Sequence, residues 1–586
     1  MEGMEWTAHA LDTQDQGREQ EGFRFVDVSV AGARTLVEAC RTAVDEAVRR
    51  LAAATVVNGQ VDLERLDREQ VLAYDLATIA GRVAAAASML DSYACRGALE
   101  ALLTFMFAGD VAADLYGRMA GRERAWGQLG PGQAPWAWAG GDTAKALAAA
   151  RDPALAEEIA NRTLADPDLP RHLPEELAMV RATFRDFAQA RVEPIAERVH
   201  REDADIPEAL IRELGAMGCF GLSIPQDYGG YAGGDSADDL MAMVVVTEEL
   251  SRASLGVAGS LITRPEILSK ALVEGGTDDQ RRRWLPGIAS GELMCGVAVT
   301  EPDYGSDVAG INVTAVAAPP THGAGDAYVV NGVKTWCTFG GRADLLMLLA
   351  RTHPDRSQRH RGLSLFVVEK PPFPGHSWEH EDGHGGRMRA RAIGTLGYRG
   401  MHSFEIAFED FHVPASNLIG GEGGIGKGFY LQMGAFANGR VQTAARALGL
   451  MQAAFERAVQ YANERCVFGA PLAAYQLTKA KVARMAALIA ASRVFAYRCA
   501  QLLGGGTGPG GGAGQLEACM VKSMSCLAAE WLTREAMQIH GGYGYAEEYA
   551  VSRYFVDARV LSIFEGADET LALRVIIRRL LEAASA

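Results

Sequence analysis

The feature that most limits how this chain can fold is a change of character at Cys295. From there to Pro414 the chain gives one strand-like stretch after another: AYVVNGVKTW, ADLLMLLA, GLSLFVVE and SFEIAFEDF. In the last of these Phe404, Ile406 and Phe408 alternate with Glu405, Ala407 and Glu409, the period of a half-buried strand. Asn331-Gly332 reads as a hairpin-type turn. On both sides of this block the spacing is helical. The combination predicts an α+β chain, mostly α, with a β-domain set between helical ones.

The flanks divide further. Residues 1–22 are polar and acidic and are expected to form a disordered tail. Alanine-rich stretches such as LDREQVLAYDLATIAGRVAAAASML predict an N-terminal helical extension over residues 23–170, interrupted by the Gly/Pro-rich WGQLGPGQAPWAWAGG. A second helical domain is expected over 171–294, the β-domain over 295–420, and a C-terminal helical bundle over 421–586. Leu448, Met451, Phe455 and Val459, at steps of three and four, mark one buried stripe of that bundle. GGGTGPGGGAG (504–514) reads as a surface loop between two helices. No Lys-Ser/Thr follows to make it a phosphate loop.

At 586 residues, 48% hydrophobic and 22% charged, the chain has enough apolar surface for several cores. A net charge of -16 argues against nucleic acid or an anionic membrane as partner. The nine cysteines are scattered, never spaced CxxC, and read as buried hydrophobes of a reducing compartment rather than disulfides or a metal site. The first residues lack a basic and an apolar signal region, and no uninterrupted apolar run approaches a membrane span. A cytoplasmic location is the expectation.

Three stretches carry chemistry. In CGVAVTEPDYGSD (295–307), Pro302 and Gly305 turn the chain so that backbone N–H groups lie beside the Thr300 and Ser306 hydroxyls. Such a turn can hold a phosphate or an acceptor-rich heterocycle, or can simply be capped by Ser306 and Asp307. In KTWCTFGG, Trp336 offers a flat face and Thr338 a donor two residues on, although a strand tryptophan is more often core. In IFEGADE, Glu565 sits between Phe564 and the unshielding Gly566. That setting suits a base, or a glutamate stabilised by the dipole of the following helix.

Together these stretches resemble the acyl-CoA dehydrogenase family. TEPDYGSD is similar to its first signature, WCTFGGRAD to its flavin-wall strand, ERCVFGAPLAAYQ to its intersubunit flavin contact, and QIHGGYGYAEEYAVSRYFVDARVLSIFEGADE to its second signature, in order from about residue 175 to 583. The resemblance implies a helical domain, a β-barrel-like domain and a C-terminal four-helix bundle, here with an extra N-terminal helical domain. It also implies noncovalent FAD, an acyl-CoA substrate, electron-transferring flavoprotein as acceptor, and a homodimer or homotetramer. Carried over, Val299, Thr300, Ser306, Trp336 and Thr338 contact the flavin within one subunit. Arg465, Phe468, Gln538, Gly541 and Gly542 reach the FAD of a neighbour, and Ala567 and Glu569 complete the cofactor set. The family's usual EGTS reads Glu565-Gly566-Ala567-Asp568, so a hydroxyl contact is missing at Ala567. The implied catalytic base is Glu565. Some relatives place their base on the helix around FANGRVQ, but that position is Gly439 here.

The resemblance further implies Ser306, Arg264, Arg440 and Gly566 as substrate contacts. Arg264, in SLITRPEI at the expected floor of the acyl pocket, suits a dicarboxylyl substrate, which would supply a buried guanidinium with its carboxylate. A salt bridge to Glu266 or another acid is the alternative, and Arg399 reads as a β-domain surface residue. SLITRPEI, TWCT, LGYRGM and the long helical extension resemble family members that oxidise a short branched dicarboxylyl-CoA. Other short or branched acyl groups stay open, as does an oxidase or monooxygenase reaction with O2.

Overall fold

The computed structural model describes residues 8–127, 140–233, 237–318, 326–504 and 514–585, with side chains from Ser29 onward. The glycine loop at 505–513 and most of the Gly/Pro-rich stretch, 128–139, lie outside the described residues. So do residues 1–7 of the expected tail. Helix α1 (Ala8–Thr55) reaches back into the rest of that tail. Gln, Glu and Ala, all good helix formers, make up about half of residues 8–22.

The extension continues with α2 (Gln70–Ser92) and α3 (Ala98–Met119). The second helical block contains α4 (Ala237–Ala253) and α5 (Thr263–Gly275). The sheet follows, with β1 Cys295–Ala298, β2 Thr314–Ala317, β3 Ala327–Thr338, β4 Leu345–Arg351, β5 Leu363–Glu369, β6 Ser377–Glu381, β7 Arg387–Ile393 and β8 Ser403–Pro414. Its order is β1-β4-β2-β3-β8-β7-β6, with β5 added to β4. The result is a curled half-barrel. The long C-terminal helices α6 (Gly428–Glu464), α7 (Gln476–Gly504) and α8 (Gln515–Ile539) pack with α9 (Ala550–Leu561) into the bundle.

Strand β4 is apolar from Leu345 to Ala350 because both its faces are covered there. Leu345, Met347 and Leu349 join a core shared with Ile267, Leu268 and Trp284, while Leu346, Leu348 and Ala350 join the core inside the curl with Phe404 and Phe408. The stripe Leu448, Met451, Phe455 and Val459 is buried as its spacing predicts. Helices α2 and α7 each hold a window of mean hydropathy 1.2, enough to cross a membrane by length and composition, yet 61% and 67% of those windows is buried inside the protein. Here α2 and α3 pack on α7, and α2 also packs on α8, so their apolar faces serve the core.

Asn331-Gly332 is not a hairpin. Strand β3 runs straight through it, and the extra residues sit opposite, in a bulge of β8 between Phe408 and Phe411. Asn331 and Asp410 bridge the bulge with two hydrogen bonds of 3.0 and 2.8 Å. Gly332 adopts φ +127° there, and a Cβ would lie 2.8 Å from Val313. Glycine is therefore required by a close strand approach rather than by a turn.

Candidate active site

Residues 562–567 join α9 to the short helix α10 (Asp568–Leu571). In this turn Glu565 has φ +55° and Gly566 φ +99°. A non-glycine residue in that region is uncommon and is held only by its surroundings. Asp568 N donates to Ser562 O at 3.1 Å, Lys522 Nζ donates to Gly566 O at 2.7 Å, and Ser523 and Tyr74 donate to the Asp568 carboxylate.

The Glu565 side chain is 6% exposed, and its Oε1 lies 3.9 Å from Nη2 of both Arg264 and Arg446. Its Oε2 faces α6, 3.5 Å from where a Cβ on Gly439 would stand. The position from which some relatives' base would project thus opens onto this same carboxylate.

Two buried guanidiniums around one carboxylate leave a surplus positive charge. Arg264 donates to the Tyr398 hydroxyl at 3.0 Å. Arg446 is fully buried, donates to Thr443 and Ser260 at 2.6 and 3.3 Å, and lies 4.6 Å from the Phe564 ring centroid. Its Nε has no partner. Burial pulls Arg446 below the ordinary guanidinium value and Arg264 adds to that, while Tyr398 and Glu565 oppose it. An added anion would relieve the strain on both arginines.

Glu266 does not pair with Arg264: it accepts from Asn438 at 3.1 Å, and burial pushes its carboxyl upward. Arg399 donates to the His200 and Thr395 carbonyls, outside the site. Arg440 is buried against Cys519, and its Nε is also unpartnered. The arginine that α6 brings to Glu565 is Arg446, which sequence reasoning missed along with Tyr398. Gly439, Thr443 and Arg446 share one helix face at steps of four and three, a pattern that could have pointed to it.

The loop expected to hold the cofactor is tied by hydrogen bonds and an ion pair and adjoins this turn. Glu301 and Tyr304 exchange backbone hydrogen bonds of 3.0 and 3.1 Å, closing the turn at Pro302-Asp303. The buried Lys334 pairs with Glu301 at 2.9 Å and donates to Val299 O. Burial lowers Lys334 to about 8 against the pull of Glu301. Thr570 of α10 donates to Ser306 at 3.0 Å, so the loop and the Glu565 turn meet.

Trp336 and Thr338, two residues apart on β3, differ sharply in exposure. A second irregularity in the pairing with β8, between Phe404 and Ile406, falls beside Trp336, whose φ is +57°. Trp336 is 55% exposed, while Thr338 is buried with its hydroxyl 2.9 Å from Ser403. A tryptophan turned outward by an irregular strand is an uncovered aromatic wall that a planar heterocycle would cover. Val299 is buried beneath the loop and Thr300 is half-buried. Phe468, at φ +48° on the tip of the hairpin Cys466–Pro471, is 99% exposed. Arg465, Gln538, Gly541, Gly542 and Glu569 are also exposed, and Ala567 is half-buried. Residues that meet a neighbouring subunit's cofactor need such exposure.

A mostly helical chain with an inserted curled sheet, a glutamate set in a strained turn and an open aromatic wall defines an acyl-CoA dehydrogenase. The chain belongs to the acyl-CoA dehydrogenase family, matching its N-terminal domain over residues 174–292, its middle domain over 296–411 and its C-terminal domain over 426–581. It is accordingly an FAD-dependent oxidoreductase acting on CH–CH groups. Among its relatives, the (2S)-methylsuccinyl-CoA dehydrogenase of Cereibacter sphaeroides is 39% identical over 561 residues, covering 93% of this chain and 96% of that one. A solved glutaryl-coenzyme A dehydrogenase–glutaryl-CoA complex is 30% identical with TM-score 0.60, covering 70% of this chain and 95% of that one. A glutaryl-CoA dehydrogenase from Mycobacterium smegmatis in complex with FADH2 is 25% identical with TM-score 0.58, covering 69% and 94%.

Proposed function

We propose that the protein oxidises a short branched dicarboxylyl-CoA at its Cα–Cβ bond, with (2S)-methylsuccinyl-CoA to mesaconyl-CoA the reaction its site supports best. The observation that carries this reading is the placement of Arg264 and Arg446, each 3.9 Å from the carboxylate of Glu565. Cations that touch the base itself can be reached by a carboxylate on the β-carbon, but lie too close for one at the end of a longer chain. Their surplus charge welcomes that anion, and planar guanidiniums suit a carboxylate better than a point charge would. Gly439 places no side chain beside Glu565, where a Cβ would make only ordinary contacts, which favours a branched acyl chain. The assignment also agrees with the 39% identity to the Cereibacter sphaeroides enzyme.

In this reading Glu565 takes the α-proton. FAD, when bound, supplies the two-electron acceptor for the β-hydrogen. The Glu565 backbone N–H, presented by the left-handed turn, donates to the thioester carbonyl as negative charge develops, a contribution of about 3 kcal/mol for a well-placed donor. Arg264 and Arg446 hold the far carboxylate and so fix which carbon faces Glu565.

We assign electron-transferring flavoprotein as the acceptor, as the family resemblance implies, and the cytoplasm as location. All nine cysteines are free and seven are buried, which suits a reducing compartment. A homodimer or homotetramer would cover Phe468 and the exposed Tyr543 and Tyr545. Anaerobic titration of the bound flavin with methylsuccinyl-, succinyl-, glutaryl- and butyryl-CoA tests the substrate. Bleaching by butyryl-CoA at lower concentration than by methylsuccinyl-CoA would reject it.

A further inference from the structure

Away from the Glu565 turn, the seam between the second helical domain and the sheet carries an unassigned cluster of metal-ligating groups. Asp203 caps the helix Glu193–Glu202 in a left-handed conformation, φ +51°. Across the seam, His376 immediately precedes β6 and His402 immediately precedes β8. His402 is also left-handed, φ +44°, and 9% exposed. His376 Nε2 lies 3.6 Å from Asp203 Oδ2, and His402 Nδ1 lies 3.7 Å from Asp203 Oδ1. One ligand atom from each of the three falls within 4.8 Å of the others, and the imidazole rings meet edge to face with centroids 4.4 Å apart.

We infer that Asp203, His376 and His402 form a binding site for a divalent transition metal of the zinc class, which ties the helical domain to the sheet. Tetrahedral zinc with bonds of about 2.0–2.1 Å separates its ligand atoms by roughly 3.4 Å. Each imidazole lies within a few tenths of that spacing from a different oxygen of Asp203, and with one ligand atom from each residue the set spans up to 4.8 Å, so the side chains close in by about an ångström on binding. Two imidazoles and one carboxylate are a ligand set that zinc accepts, with a water completing the shell.

Asp205 supplies what a metal-bound imidazole ordinarily has. Its Oδ1 lies 3.0 Å from Nε2 of His402, the ring nitrogen turned away from Asp203, although the pair is not aligned as an ideal hydrogen bond. Asp205 is itself held by Gly375 N at 2.9 Å. With the proton kept on Nε2, Nδ1 presents its lone pair toward Asp203 and His376. The opposing charge is Arg399, whose Nε lies 3.6 Å from Asp203 Oδ1. Its hydrogen bonds to the Thr395 and His200 carbonyls give it other partners when a metal takes that oxygen.

The test uses the full-length, FAD-loaded protein after treatment with a chelator, titrated with Zn2+ by calorimetry and counted by elemental analysis. The expected result is one Zn2+ per chain at this site, with a higher melting temperature on binding, because the metal bridges two domains. His376→Gln and His402→Gln should each weaken uptake by at least about tenfold, and Asp205→Asn by about 10–100-fold through loss of orientation. His384→Gln, at a separate histidine cluster with His412, should change nothing. His376 is half exposed, so its variant should keep the fold, checked by flavin absorbance and melting. Failure of the parent protein to take up a full equivalent, or uptake undiminished in His376→Gln, would overturn the site.

Discussion

The hydroxyl of Tyr74, in the N-terminal extension, donates a 2.6 Å hydrogen bond to Oδ2 of Asp568, three residues after Glu565. The partners are 494 positions apart in the chain. Asp568 also accepts from Ser523, and it stands where the family pattern carries a serine hydroxyl. The extension therefore braces the turn that sets the left-handed Glu565. Arg574, just beyond, pairs with Asp67 of the extension at 2.8 Å. Burial, followed by the bond to Asp568, drives the Tyr74 phenol well above its usual value, so the hydroxyl keeps its proton at any working pH. Tyr74→Phe should cost about 1.5–3 kcal/mol of stability, the worth of a hydrogen bond to a charged group. It should lower turnover while FAD content stays constant. Chemical denaturation and stopped-flow flavin reduction measure the two effects separately.

Glu565→Gln keeps the shape of the side chain and removes its basicity. Flavin binding should persist, and flavin reduction by substrate should fall by at least 10²–10⁴-fold, the usual contribution of a positioned general base. Unchanged reduction would remove Glu565 from the role of base, since Gly439 offers no substitute.

Much of this was legible in the sequence because it depends on local pattern. Alternation in SFEIAFEDF, the continuous apolar run of β4 and the stripe on α6 each report which faces are covered, and burial follows. The turn between Glu301 and Tyr304 was legible because Pro302 turns the chain locally. What escaped notice depends on partners distant in the chain. Asn331-Gly332 has the composition of a hairpin, and only the register of β8 against β3 makes it a bulge site. Trp336 lies beside an irregularity in the pairing of β3 with β8, and its positive φ and exposure depend on that distant strand. Arg440 and Arg446 look alike on one helix, and the packing of α6 against the Glu565 turn decides which meets the carboxylate. Tyr74 is the lone aromatic of an alanine-rich helix, and nothing in that helix marks its partner until the extension docks.

The arginine pair makes a substrate-selective prediction. Arg264→Ala removes the guanidinium that contacts Tyr398 and Glu565, so a dicarboxylyl substrate loses a buried charge partner. That loss is worth about 2–5 kcal/mol, or roughly 30-fold to several thousand-fold in kcat/KM. Butyryl-CoA, which has no distal carboxylate, should lose far less. Parallel kinetics on the two thioesters check this, and equal losses on both would reject the clamp.

The segment 166–174, a linker between the helices Pro153–Ala165 and Glu175–Phe187, predicts how stability responds to acid. Arg171 of the linker and Arg493 of α7 converge on the buried Glu248 of α4, at 3.1 and 2.8 Å. Burial alone would raise the Glu248 carboxyl, but Arg493 and Arg171 outweigh it and hold it at about 2. Asp168 of the same linker, contacted by Arg171 and Arg181, is likewise depressed. Because the folded value lies below the unfolded one, Glu248 contributes stability that is fully present above about pH 4.5. That stability is lost as pH falls toward 2. Urea unfolding at steps from pH 6 to pH 3 should therefore show stability falling steeply below pH 4.5. In Glu248→Gln, stability at pH 6 should be lower and the slope below pH 4.5 shallower. An unchanged slope would mean that the arginines of this network do not hold Glu248 ionised.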